Sequence, residues 1–387
     1  PPNPQPPFPI PQTRVYPPST GGPLSSTTLN CKHVGTCGGC PLGNENFESV
    51  ALKKTTPVRA RFPQLEMRDS PKERVRDRAD LVWEKAKDRQ MRLGLYGIES
   101  RSVVDLEACP MMTTPLENWF KEFRLQPPPI TRGSVRLRVS PTGNRGVWLD
   151  FANQDVKALF EERTYLQWLS ARAFVEIGQR RKALVWREGL PKLVDPELRP
   201  WFETYDSQMQ PIPLYGPVGG FSQTGFAANR ALVSAVTDLA AASGVRDWLE
   251  LFCGNGNFAL ALAARGFAVE AVELDELAVR GLELSGGGVR VSRHDVYLKS
   301  TSLPAIADRG LLVDPPRAGL RELLKQIEQG WRPRALLYVS CFTDVLLQDA
   351  TQLEAMGYKL NKIIGVDQFP FTAHGEWVTL FLAGEIN

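Results

Sequence analysis

No apolar run in this 387-residue chain approaches the length of a membrane span, and its first residues carry no leader pattern. A membrane-embedded or exported protein is thereby disfavoured, and a soluble cytoplasmic protein is the expectation. Net charge is scarce: 46 Lys and Arg against 43 Asp and Glu leave +3. That balance permits nucleic-acid binding without arguing for it, because the placement of charge matters more than its sum. No internal repeat is visible, which speaks against a solenoid or propeller. The chain opens on Pro1 rather than Met, so a trimmed start is expected. The apolar fraction is ordinary, and the length suits two domains, or two and a half.

Six cysteines are present: Cys31, Cys37, Cys40, Cys109, Cys253 and Cys341. Cytosolic cysteines serve metal binding or catalysis rather than disulfides. Four lie in the first third and two stand singly near the end, which suggests two separate tasks. Cys31-x5-Cys37-x2-Cys40 with a remote Cys109-Pro110 offers four soft ligands. Zinc and an iron–sulfur cluster both suit such a set. Three close ligands and one remote one followed by Pro favour the cluster, since zinc ligands usually come as two close pairs. His33 lies inside this motif but reads as a surface residue.

Residues 1–30 are rich in Pro, Ser and Thr and read as an extended polyproline-like arm. Residues 31–210 suit a smaller α+β domain with a basic face. SVRLRVS (134–140), the turn PTGNRG and VWLDFA predict a hairpin, while RVRDRADLVWE (74–84) and RKALVWRE (181–188) alternate basic and apolar residues. Arg74, Arg76 and Arg78 are candidate phosphate contacts, or simply a solvated basic face. From 211 to 387 apolar strands and helices alternate, which predicts an α/β, doubly wound, mostly parallel sheet. The PVGGF stretch at 217–221 is the expected joint.

Open α/β sheets bind ligands outside the carboxyl ends of their strands. After DWLELF comes Cys253-Gly254-Asn255-Gly256-Asn257, a turn able to approach a ligand closely. The third glycine of a dinucleotide fingerprint is missing, so a nucleoside without a pyrophosphate is favoured, and S-adenosylmethionine fits better than NAD. Glu273 stands about 20 residues past the glycines, where an acid grips a ribose diol. Asp314 follows the GLLV strand. Asp295 is a candidate adenine contact, with a solvated loop residue as the alternative. Cys253 reads as a packing residue.

Cys341 ends the strand ALLYVS and precedes a helix whose free amides and positive end favour a thiolate. Most lone cysteines are small buried hydrophobes; the strand-end position raises the nucleophile reading. KLNKIIGVD and EWVTLFLA predict an antiparallel pair that brings Glu376 to the same edge as Cys341 and Asp314. Glu376 is then a candidate general base, against a solvated turn residue. His374 is a candidate for positioning the base or the pyrimidine.

The segments LFCGNGNFALALA (251–263), LLVDPPRAGL (311–320), YVSC (338–341) and DQFPFTAHGE (367–376) resemble the uracil-5 RNA methyltransferase family, in that family's order. With the cysteine motif, CGGC included, the resemblance spans about 31–387. It implies a class I methyltransferase domain with Cys341 as nucleophile and Glu376 as proton acceptor. It further implies that Gln223, Phe252, Asn257, Glu273 and Asp314 line an S-adenosylmethionine site. The same resemblance implies a [4Fe–4S] cluster on Cys31, Cys37, Cys40 and Cys109. The expected activity is methyl transfer to carbon 5 of a uridine in structured RNA, rRNA ahead of tRNA, by a monomer. Two departures stand out: Phe342-Thr343 replaces the usual Asn-Pro after the cysteine, and a bulky Trp377 follows the glutamate. Residues 1–30 are too short for the N-terminal β-barrel of many members. The alternatives are a methyltransferase for an exocyclic amine, with DPPR at its centre, and an inactive RNA-binding or folding protein.

Overall fold

The strands Ala335–Ser340 and Gly310–Val313 are buried at every position. Strands apolar on both sides need cover on both faces, as in a parallel sheet between helix layers. In the computed structural model, which describes residues 28–86, 88–150, 156–178, 181–298 and 303–384, they lie in an eight-stranded sheet. Its spatial order is Glu66–Arg68, Tyr358–Val366, Glu376–Ala383, Ala335–Ser340, Gly310–Val313, Asp247–Leu251, Ala268–Glu273, Arg290–Arg293. The strands from Ala335–Ser340 to Arg290–Arg293 run parallel. Glu376–Ala383 is antiparallel to both of its neighbours. Strand order reverses beside Asp247–Leu251, the switch point at which α/β sheets hold ligands.

Alternate residues of these strands feed the two faces. Trp248, Leu312, Leu337 and Val378 pack with Leu232, Val236 and Leu239 of the helix Phe226–Ala242. Leu249, Leu311, Leu336 and Phe381 pack with Leu323 and Ile327 of Glu322–Glu328 and with Leu346 and Leu353 of Thr343–Ala355.

A second eight-stranded sheet covers the middle of the chain, in the order Val103–Asp105, Met91–Tyr96, Arg78–Lys85, Arg132–Val139, Arg145–Asp150, Phe174–Ile177, Lys182–Arg187, Leu190–Val194. It buries Leu81, Trp83, Leu137 and Leu149 against Leu116, Trp119, Phe120 and Phe123 of the helix Thr114–Leu125. The hairpin predicted around PTGNRG is the antiparallel pair Arg132–Val139 and Arg145–Asp150.

The expected division at 210 does not coincide with the sheets. Glu66–Arg68 joins the C-terminal sheet in parallel with Ile364–Val366. The preceding helix, Phe47–Arg61, lies against Thr343–Ala355, and Arg61 pairs with Glu354. The hairpin of Arg199–Tyr205 and Pro211–Gly216 packs on the helices Phe226–Ala242 and Glu276–Ser285 of that half. A three-residue strand carries too little periodicity to announce its partner in sequence. The polyproline-like arm over 1–30 lies outside the described residues except for its last three positions.

The joint at 217–221 is fastened to the middle sheet by buried charge. The Arg138 guanidinium donates to the carbonyls of Val218 (3.1 Å) and Gly220 (3.4 Å) and to Ser222 Oγ (2.9 Å). Glu176 accepts from the amides of Val218 (2.7 Å) and Gly219 (2.9 Å).

Candidate active site

Between the carboxyl ends of the C-terminal sheet and the middle sheet opens a cavity of about 730 Å³. Gln223, Phe252, Gly254, Asn257, Glu273, Asp314, Cys341 and Glu376 all line it. Asp295 does not: its carboxylate turns back to accept from the Tyr297 amide at 2.9 Å. Tyr297 itself packs its ring 5.2 Å from that of Phe252.

The glycine turn follows from backbone geometry. Phe252 (φ 62°), Gly254 (φ 55°) and Gly256 (φ 91°) all take the left-handed region. For Phe252 that conformation is strained, as is common where a chain is bent around a ligand. A Cβ on Gly256 would stand 2.4 Å from Leu282, so a side chain is excluded there. A Cβ on Gly254 would meet nothing within 4 Å, which leaves open space on the cavity side. Glu273 braces the turn, accepting from Gly254 N at 2.9 Å and from the amides of Leu274 (2.6 Å) and Asp275 (2.8 Å). Asn257 is held by a reciprocal amide pair with Asn229, both bonds 2.8 Å.

Acidic groups dominate the floor. Burial raises the Asp314 carboxyl well above the ordinary carboxylate range, although Gln223 Nε2 donates to it at 3.0 Å. Burial and the nearby Asp314 raise Glu376 as well, and Gln368 Nε2 donates to it at 3.1 Å. Glu250, inside the strand Asp247–Leu251, also lines the cavity, is buried, and is raised by burial and by Asp314. One of its oxygens is buried without a partner. The sequence reading missed it; its signal is an acid within an otherwise apolar strand. Asn229, Gln368 and the Arg138–Glu176 fastening were missed too, being contacts between distant segments.

This floor fits a cationic nucleoside such as S-adenosylmethionine. Glu250, Asp314 and Glu273, which line the cavity, are the residues that would hold it. An orphaned buried carboxylate oxygen and an open Gly254 face are the marks of a site shaped for such a molecule.

Cys341 is half-buried at the end of Ala335–Ser340. Burial, followed by the charges of Glu376 and Asp314, pushes its thiol up to about 11, with Arg317 pulling the other way. The expected lowering by the helix start is therefore outweighed. The helix Thr343–Ala355 begins two residues later, and its cap, Phe342, offers no side-chain bond. His374 stands between the rings of Phe342 (5.9 Å) and Phe369 (6.3 Å).

The four N-terminal thiols converge as well. Cys31, Cys37, Cys40 and Cys109 line one small cavity of about 50 Å³, with Arg76. Burial raises Cys37 and Cys109 and takes Cys40 to about 12, and neighbouring thiols add to each. The Gly39 amide donates to Cys37 Sγ at 3.4 Å. Among the described residues no group of three or more His, Cys, Asp or Glu side chains is arranged to hold a metal ion. Soft thiols sharing one cavity are nonetheless a suitable donor set for iron. Arg74 pairs with Glu117, and Arg78 bonds the Ser222 carbonyl at 2.9 Å.

A glycine-turned, mostly parallel sheet with an acidic floor at its switch point defines an α/β class I methyltransferase. The model of the tRNA (uracil-5-)-methyltransferase family matches residues 215–284 and 281–383. An uncharacterised RNA methyltransferase of Bdellovibrio bacteriovorus is 34% identical over 372 residues, 90% of this chain and 94% of that one. The 23S rRNA (uracil(1939)-C(5))-methyltransferase RlmD of Pseudomonas putida is 30% identical over 378 residues, 92% of this chain and 80% of that one. The Pyrococcus abyssi tRNA (uracil-54, C5)-methyltransferase, solved with S-adenosyl-L-homocysteine, shares the fold with a TM-score of 0.62. It is 21% identical, with 89% of this chain and 86% of that chain covered. The chain belongs to the S-adenosylmethionine-dependent RNA (uracil-5-)-methyltransferase family.

Proposed function

We propose that this chain methylates carbon 5 of a uridine in structured RNA through a covalent adduct with Cys341, with 23S rRNA ahead of tRNA as substrate. The observation that carries the reading is that Cys341 and Glu376 share one cavity with the glycine turn and Asp314. Relatives named for 23S rRNA, matching over nine-tenths of this chain, support the choice of RNA. A cytoplasmic monomer is part of the same proposal.

Carbon 5 of uracil is a weak nucleophile. Addition of the Cys341 thiolate to carbon 6 forms an S–C bond and pushes electron density onto carbon 5. Carbon 5 would take the electrophilic methyl group of bound S-adenosylmethionine as the sulfonium–methyl bond breaks, leaving S-adenosylhomocysteine. Glu376 then takes the carbon 5 proton, the S–C bond breaks, and the ring regains its double bond with the thiolate released. Burial that raises Glu376 makes it a stronger proton acceptor once ionised. Arg317 offsets the carboxylates around the thiol. The target base must be flipped out of its stack to reach this floor.

Cys31, Cys37, Cys40 and Cys109 would hold a [4Fe–4S] cluster, whose irons would stabilise the thiolate forms that burial disfavours.

The decisive measurement uses two variants and RNA from a strain deleted for this gene. Cys341→Ala is expected to lose methyl transfer, by about 10⁴-fold or more. Glu376→Gln is expected to accumulate a protein–RNA adduct stable to denaturing gel electrophoresis. An active Cys341→Ala enzyme would instead favour the exocyclic-amine reading, in which the thiol has no task.

A further inference from the structure

Two residues beside the catalytic pair meet each other. The Trp377 indole Nε1 donates to Thr343 Oγ1 at 3.0 Å. Trp377 directly follows Glu376, and Thr343 lies two residues after Cys341. The bond therefore ties the segment carrying the base to the segment carrying the nucleophile.

One end of this tie is immobile. Trp377 is fully buried and pairs with Ser340 and Gly365 across its two neighbouring strands. Its ring fills space that two glycines leave free: a Cβ would stand 2.7 Å from it at Gly365 and 2.5 Å at Gly375. The other end needs fixing. The helix Thr343–Ala355 starts without a capping side chain, and Phe342 is extended. Within the turn itself, Ser340 Oγ and the Phe342 backbone meet only through long bonds of 3.4 Å each among the described residues.

We propose that Thr343 and Trp377 act as a positioning pair that sets the Cys341 sulfur against the Glu376 carboxylate. Neither touches substrate; each acts through its neighbour. The inference rests on the covalent reading of Cys341.

The test uses single-turnover and steady-state transfer of labelled methyl from S-adenosylmethionine to total RNA of the deletion strain. Thr343→Val removes the acceptor with little change of shape, Trp377→Phe removes the donor, and Thr343→Ser keeps the acceptor. Each of the first two should slow transfer about tenfold with KM for the cofactor within about twofold, as expected for the loss of one hydrogen bond that aligns reacting groups. The double variant should be no slower than the slower single one, and Thr343→Ser should recover most of the rate. Multiplying losses in the double variant, a serine variant as slow as the valine one, or a KM that moves with kcat would each overturn the pair. Should Trp377→Phe fail to fold in a thermal melt, the two Thr343 variants decide alone. A requirement for Cys341 with unaffected Thr343 variants sinks only the pair, whereas a fully active Cys341→Ala enzyme sinks both.

Discussion

At the residue scale the site is governed by burial acting on charge. Burial raises Asp314 because an ionised carboxyl loses its hydration there. The folded chain thus holds that proton more tightly than the unfolded chain. Its stabilising contribution is complete below the ordinary carboxylate range and is lost as pH climbs towards neutral. Asp314→Asn should therefore melt higher than the parent at about pH 8, with the gap shrinking by about pH 4. Equal melting curves at both values would show that the buried carboxyl costs the fold nothing. The thiol of Cys341, at about 11, imposes the opposite trend on rate. Single-turnover transfer should rise about tenfold per pH unit between about 7 and 9, while the thiolate is a minor form. A flat profile there would mean that thiolate formation does not limit the reaction. Sequence discloses these acids unevenly. Glu273, Asp314 and Glu376 stand at strand ends, where ligands are expected, whereas Glu250 hides within a strand.

At the element scale, the loop from Asp367 to Glu376 depends on a helix more than 300 residues earlier in the chain. Lys54, on Phe47–Arg61, donates to both Asp367 oxygens (2.8 and 2.9 Å) and to the Phe369 carbonyl (2.8 Å). Phe371, buried at φ 60°, packs among Leu29, Val50 and Met111 beside Cys31 and Cys40, and its carbonyl accepts from the Leu42 amide at 3.0 Å. Removing one partner of a buried ion pair leaves the other uncompensated. Lys54→Met should cost about 3–5 kcal/mol in denaturant unfolding and speed amide exchange across 367–375. Unchanged exchange in that loop would show that the pair does not hold it. Neither contact is legible in sequence: no local pattern says that Lys54 faces inward, and a Phe in the left-handed region is against expectation.

For the whole molecule, both cavities draw on distant segments. The thiol cavity unites residues 31–40 with Cys109, and the active-site cavity takes walls from both sheets, Arg138 and Trp148 among them. Protein purified without oxygen should be brown, carry about four irons per chain and bleach on oxidation, as expected of a [4Fe–4S] protein. The iron-free chain should melt lower, since ligand binding to the folded state alone stabilises it. A colourless, zinc-containing protein of equal stability would refute the cluster. Among the described residues no helix is long and apolar enough to cross a membrane.

The sequence by itself determined the strand–turn–helix rhythm, the glycine turn and the acids, thiol and carboxylate at strand ends. Each follows from local periodicity and from the rule that parallel sheets bind ligands at one edge. Only the tertiary structure decided that Glu66–Arg68 joins the C-terminal sheet, that the Asp295 carboxylate accepts from the Tyr297 amide, and that Trp377 bonds Thr343. Those outcomes depend on contacts between residues far apart in the chain and on burial, which local pattern does not encode. Burial, moreover, is what sets the Cys341 thiol high where the helix start alone would have set it low.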